Sequence, residues 1–128
     1  GAKVVFCGPT PLCPDAFSEL GAVVEHDVAK ALKGADAVNV LRLQIERMEQ
    51  GFVPSLSDYA LTYQLTPARV ELMKPEALVL HPGPINRGVE IASEVADGPR
   101  SVILEQVANG VLARMAVLAL CEQGRNLA

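Results

Sequence analysis

Three short apolar runs rich in β-branched residues, at 3–7, 22–26 and 37–41, alternate with two segments that carry helix start and stop signals. This alternation constrains the fold more than any other feature of the chain. Each run is too short for a helix and reads as a strand, the first as a buried one. Gly8-Pro9-Thr10-Pro11 is a turn cluster, Asp15 stands where it caps a helix over 16–20, and Gly21 ends that helix. Asp27 stands as the cap of a helix over 28–33, closed by Gly34. Strand, helix, strand, helix, strand requires right-handed crossovers and a parallel sheet covered by helices. The expected class is α/β, a single doubly wound, mainly parallel sheet.

The second half continues the pattern. After a polar stretch at 42–54, Ser57 reads as the cap of a helix over 58–64. Thr66-Pro67 is a start signal, with Thr as cap and Pro at the first helical position, for a helix to about Met73 that Pro75 ends. Residues 77–80 form a fourth strand, 81–97 a loop, and Ser101 caps a long helix over 102–122. On that helix Val107, Val111, Met115 and Leu118 share a face at helical spacing and read as core. At 128 residues the chain makes one domain, able to bury roughly 65–70% of its unfolded surface.

Composition narrows the partners. A net charge of −4 with no basic tract argues against nucleic acid. The longest uninterrupted apolar run, Met115–Cys121, falls short of the ~20 residues of a membrane span. Cys7, Cys13 and Cys121 form an odd set without metal-site spacing, and read as small buried thiols in a reducing cytoplasm. The chain opens on Gly1 and runs straight into a strand, so a piece of a longer protein is expected. No dinucleotide fingerprint, phosphate-binding lysine loop or His-Glu-x-x-His motif is present.

In an open α/β sheet, ligands bind beyond the carboxyl ends of the strands. The loops beginning at Arg42 and at His81 should therefore share one end of the sheet. If 42–44 is extended, the side chains of Arg42 and Gln44 point the same way. Guanidinium and amide together make a receptor for a carboxylate. Glu46 could pair with Arg42, and Arg47 with an acid elsewhere; the plain alternative is a solvated helix start with weak ion pairs. In His81-Pro82-Gly83-Pro84 the prolines fix φ and remove two amide donors while leaving the carbonyls as acceptors, and Gly83 permits close backbone approach. Such a ridge could accept hydrogen bonds from an –NH2 group, or be simply a rigid turn, with a cis X-Pro bond open to it. His81 invites a base role, but without an evident Asp or Cys partner it reads as structural, and His26 has less to recommend it. Arg87 and Glu90 could pair across the loop.

Four segments, 41–47 (Leu-Arg-Leu-Gln-Ile-Glu-Arg), 81–91 (His-Pro-Gly-Pro-Ile-Asn-Arg-Gly-Val-Glu-Ile), 95–101 and 106–111, resemble, in order and nearly end to end, the aspartate carbamoyltransferase family. The resemblance covers its C-terminal, aspartate-binding domain, a Rossmann-like fold, and Gly83 matches the bacterial form. The Cys-containing prolyl loop and Ser-Met-Gly motif of ornithine carbamoyltransferases are not found. The resemblance implies transfer of the carbamoyl group of carbamoyl phosphate to L-aspartate in pyrimidine synthesis, with no metal or organic cofactor. It implies that Arg42 and Gln44 bind aspartate, that Glu46 orients Arg42, and that the carbonyls of Gly83 and Pro84 meet the carbamoyl amide, with Arg47, His81 and Pro82 in support. No catalytic residue falls in this chain. The phosphate-binding Ser-Thr-Arg-Thr-type loop, a further Arg and a His belong to the family's N-terminal domain, a second aspartate-binding Arg lies upstream, and a Ser and a Lys come from a neighbour in a homotrimer, with regulatory or dihydroorotase-like chains as further partners. The chain would then hold half a site and be inactive alone. A non-catalytic ligand-binding or assembly module, or a carbamoyltransferase for another amino acid, are the alternatives.

Overall fold

The four apolar runs become strands, each shorter by one or two residues than its run. The computed structural model describes residues 1–44 and 55–125. β1 (Val5–Cys7) pairs in parallel with β2 (Val23–Glu25), with Val5 opposite Val23, and β3 (Ala37–Asn39) pairs in parallel with β4 (Leu78–Leu80), with Ala37 opposite Leu78. Parallel neighbours need a crossover between them. A 3-10 turn, Asp15–Leu20, joins β1 to β2, and α1 (Val28–Leu32) joins β2 to β3. α2 (Leu56–Tyr63) and α3 (Pro67–Val70) lie between β3 and β4, and α4 (Ser93–Ala96) and α5 (Ile103–Arg125) follow. The parallel α/β class is as expected, with the ladders grouped into two pairs.

The caps follow local chemistry. Asp27 accepts from the amides of Ala29 and Lys30, and Thr66 from that of Arg69, with Pro67 at the first helical position. Asp15 is not a cap, because Pro14 holds that position and the Asp15 carboxylate faces His26 instead. Ser55, not Ser57, caps α2: it accepts from the Asp58 amide, and its hydroxyl donates to the Asp58 carboxylate at 2.6 Å. The spacing Ser-x-x-Asp resembles a capping box, but the Asp58 carboxylate takes the Ser55 hydroxyl rather than its backbone amide. α3 stops at Val70, and a turn carries the chain to Met73.

The core is built on β4. Val79 and Ile91 are fully buried among Leu32, Leu65, Val70 and Val95. Val79 also donates to the Arg100 carbonyl and accepts from the Val102 amide, so β4 is flanked on both sides. That use of the 100–102 backbone, rather than a Ser101 cap, sets the start of α5 at Ile103. Within the loop expected at 81–97, α4 forms, and Gly98 ends against it: a Cβ there would lie 2.7 Å from the Glu94 carbonyl.

Burial departs from the sequence reading at both ends of the chain. β1 is not buried: Val5 and Cys7 are exposed, and the Phe6 ring rests edge-on against Phe17 at 5.4 Å. Of the cysteines only Cys13 is buried. The face of α5 read as core is open, with Val107, Val111, Met115 and Leu118 at 50–65% exposure. Helical periodicity identifies a face that needs covering, not the element that covers it. By length and composition alone the 103–124 stretch of α5 is also apolar enough to cross a membrane. Counting uninterrupted runs missed this, because isolated polar residues such as Arg114 break the runs.

If α5 gains nothing from this domain beyond its first turn, charges on its far end are tolerated. Replacing Leu112 and Leu118 together by Lys should change unfolding stability by less than about 1 kcal/mol in urea titrations and should reduce self-association in sedimentation velocity.

Candidate functional site

β3 and β4 run parallel, so their carboxyl ends point the same way and deliver the loops at Arg42 and His81 to one end of the pair. The backbone ladder extends past β3, the Val40 amide donating to the Leu80 carbonyl at 2.9 Å. β3 itself ends at Asn39. Leu43 is buried at 4% exposure while Gln44 is exposed and Arg42 half-buried. The buried leucine side chain between them anchors the segment, and Arg42 and Gln44 open together into a cleft of about 490 Å³. Its opposite wall is the β1 exit: Cys7, Gly8, Pro9 and Cys13. Glu46 and Arg47 lie outside the described residues.

The prolyl ridge is held by a buried pair. His81 is fully buried and Glu90 is 1% exposed. The Gly83 amide donates to His81 Nδ1 at 2.8 Å, so that nitrogen is the acceptor and the ring proton sits on Nε2. Nε2 lies 3.3 Å from Glu90 Oε1 and donates to it. The same carboxylate oxygen accepts the Asn86 amide at 2.6 Å. A histidine with both nitrogens committed this way is not a base for substrate. The partner of His81 is thus Glu90, and the expected Arg87–Glu90 pair does not form. Arg87 instead grips Asp97 with two hydrogen bonds, at 2.7 and 2.8 Å, which hold the Asp97 carboxyl below its ordinary range. The backbone of Glu90 is held as well, its carbonyl accepting the Leu65 amide at 2.9 Å.

Gly83 has φ of 67°, in the left-handed region, and the Gly83–Pro84 peptide is cis. Pro82 lines a second cleft, of about 600 Å³, along α5, with Gln106 and Arg114. Gln106 reaches back to the ridge, its side-chain oxygen accepting from the His81 amide at 2.9 Å. Of the ridge, Pro82 alone lines this second cleft, whereas Arg42 and Gln44 line the first. What joins the two loops is Asn86, whose side-chain amide donates to the Leu43 carbonyl at 2.9 Å.

Several residues of this region were not singled out from sequence. Tyr59, from α2, lines the first cleft. Burial first, and then the Glu90 charge, push its hydroxyl up to about 12, so it stays protonated. The Cys7 thiol, at the rim, is pushed up to about 11 by desolvation and by Cys13. His26 ties down the cleft wall, with Nδ1 2.7 Å from the Gly8 carbonyl and Nε2 3.4 Å from Asp15. None of these is marked by a local motif; each depends on contacts between distant segments. Among the described residues no three His, Cys, Asp or Glu side chains gather to hold a metal ion.

A family model described as aspartate/ornithine carbamoyltransferase, Asp/Orn binding domain, matches residues 15–121. The chain is similar to the aspartate carbamoyltransferase catalytic subunit of Gemmatimonas aurantiaca, at 54% identity over 98% of this chain and 39% of that relative. It is similar also to that of Myxococcus xanthus, at 58% identity over 94% of this chain and 41% of the relative. Among solved structures, the ornithine carbamoyltransferase from Pyrococcus furiosus aligns with a TM-score of 0.75 at 29% identity, over 94% of this chain and 42% of that one. An aspartate transcarbamoylase from Trypanosoma cruzi, solved in complex with carbamoyl aspartate and phosphate, aligns with a TM-score of 0.62 at 26% identity, over 80% and 31%. The chain thus spans 39–41% of the length of these curated relatives.

The His26 contacts make the cleft wall sensitive to pH. The Gly8 carbonyl and then the Asp15 carboxylate raise the His26 pKa above its ordinary 6.5. Its contribution to stability is complete below that ordinary value and is lost as pH rises through the raised one. Titration of the ring by NMR should give a midpoint above 6.5, and Asp15→Asn should lower it.

Proposed function

The chain belongs to the aspartate/ornithine carbamoyltransferase family, and we propose that it is the aspartate-binding part of an aspartate carbamoyltransferase, which carries the carbamoyl group of carbamoyl phosphate to L-aspartate. One observation carries this reading to particular residues. Arg42 and Gln44 open into a common cleft at the end of the β3–β4 pair where the Gly83–Pro84 ridge also emerges, and Asn86 joins the two loops.

The chemistry asks little of a protein beyond placement and charge. The neutral amine of aspartate attacks the carbamoyl carbon, a C–N bond forms, the C–O bond to phosphate breaks, and the proton lost by the amine leaves on the departing phosphate. Both substrates are anions and repel one another. Arg42 offsets a carboxylate charge with a bidentate fork, and Gln44 adds a neutral donor. The carbonyls of Gly83 and Pro84 accept from the carbamoyl –NH2, which fixes the plane of the group under attack. Pro82 and Pro84 have no amide hydrogen with which to oppose that arrangement. The bound phosphate and the tetrahedral oxyanion need cationic donors. In this reading those come from the remainder of the whole protein, an N-terminal carbamoyl-phosphate domain, and from a neighbour in a cytoplasmic homotrimer. The open apolar face of α5, with the 600 Å³ cleft beside it, is where we place that remainder.

Arg42→Ala in the full-length enzyme should weaken aspartate binding by about 2–5 kcal/mol in calorimetric titrations while carbamoyl phosphate binding holds. Unchanged aspartate affinity would reject the assignment. The 128-residue chain alone should show no turnover, since it carries half of the site.

A further inference from the structure

We propose that Asn86 is a positioning residue that keeps the amino-acid-binding fork and the prolyl ridge in register, an inference that rests on the reading above. The fork and the ridge belong to loops 43 residues apart in sequence at their point of contact. Neither loop fixes the position of the other through a strand ladder, because the ladder between β3 and β4 stops at Val40 and Leu80, short of both loops.

Asn86 spans this gap with three of its groups. Its backbone amide donates to Glu90 Oε1 at 2.6 Å. Its carbonyl accepts the Val89 amide at 3.0 Å. Its side-chain amide donates to the Leu43 carbonyl at 2.9 Å. The Leu43 carbonyl belongs to the peptide joining Leu43 to Gln44, so its orientation bears directly on the Gln44 backbone and side chain, with Arg42 just upstream in the same segment. On the other side Glu90 Oε1 takes the proton of His81 Nε2, and His81 Nδ1 takes the Gly83 amide. The sequence of contacts is continuous: Leu43, Asn86, Glu90, His81, Gly83. Its central members, His81 and Glu90, are shielded from water, where hydrogen bonds hold geometry best. Its two ends are the segments that would grip the two substrates.

Asn86 touches neither clefts' occupant in this account. Its effect is on the alignment of the amine with the carbamoyl carbon, to which such reactions are sensitive at the ångström scale. Deleting the side-chain donor frees the Leu43–Gln44 peptide while the Glu90–His81–Gly83 arm stays in place. The fork should loosen and the ridge should not.

The test uses the full-length enzyme with Asn86→Ala and Asn86→Asp, the second keeping the shape but not the donor. We expect the aspartate KM to rise about tenfold, the scale of one hydrogen bond, with the carbamoyl phosphate KM within about twofold of the unsubstituted value. A residue that only supports the fold would lower the melting temperature without separating the two constants. The proposal is overturned if either folded variant keeps its aspartate KM within twofold, if both constants rise together, or if neither variant folds. Should the unsubstituted enzyme fail to carbamoylate aspartate, it is the functional reading that falls; activity with an unmoved KM removes this inference alone.

Discussion

The arrangement of the candidate site depends on one carboxylate kept out of water. Glu90 is 1% exposed, and burying a carboxylate is costly unless donors meet it; here both donors reach Oε1, while Oε2 is buried without a hydrogen-bond partner among the described residues. The convergence here shapes the chain. The Asn86 amide and the His81 ring both turn to Oε1, so the loop between them folds around that oxygen. The ridge at Gly83 follows, because its amide is drawn to the far side of the same imidazole. A rigid prolyl segment alone would be stiff without being placed; the buried pair places it. Removing the carboxylate would leave the ring proton and an amide without their acceptor, and both loops would lose their common reference.

Much of this architecture was legible in the letters. Strands and crossovers followed from apolar runs bounded by Gly and Pro, and Asp27 and Thr66 acted as the caps their positions implied. The prediction that the loops at Arg42 and His81 share one end of the sheet needed only the parallel order, which the β3–β4 register bears out. Where two short polar residues competed, reading failed. Ser57 reads as the cap of α2 from its place before the expected helix, but Ser55 holds that position and exchanges two hydrogen bonds with Asp58.

The misses share a physical cause, which is that burial and pairing are properties of contacts between segments. His81 has no evident Asp or Cys partner in sequence, yet it meets Glu90, while Arg87, which could have paired with Glu90, meets Asp97. Tyr59 and His26 carry no motif, yet each borders the cleft or its wall. The α5 side chains read as core have the right spacing and no cover within the described residues. An apolar stripe specifies an appetite for a surface, and the surface need not belong to the same 128 residues.

The division of the strands into two parallel pairs bears on how the first cleft can respond to an occupant. One wall leaves β1 and the other leaves β3, and these strands belong to separate ladders. Among the described residues no backbone hydrogen bond runs from one pair to the other. Widening or narrowing the gap therefore breaks no strand-ladder hydrogen bond. The first cleft is thus walled by two separate ladders, with Arg42 on one side and Cys7 and Gly8 on the other.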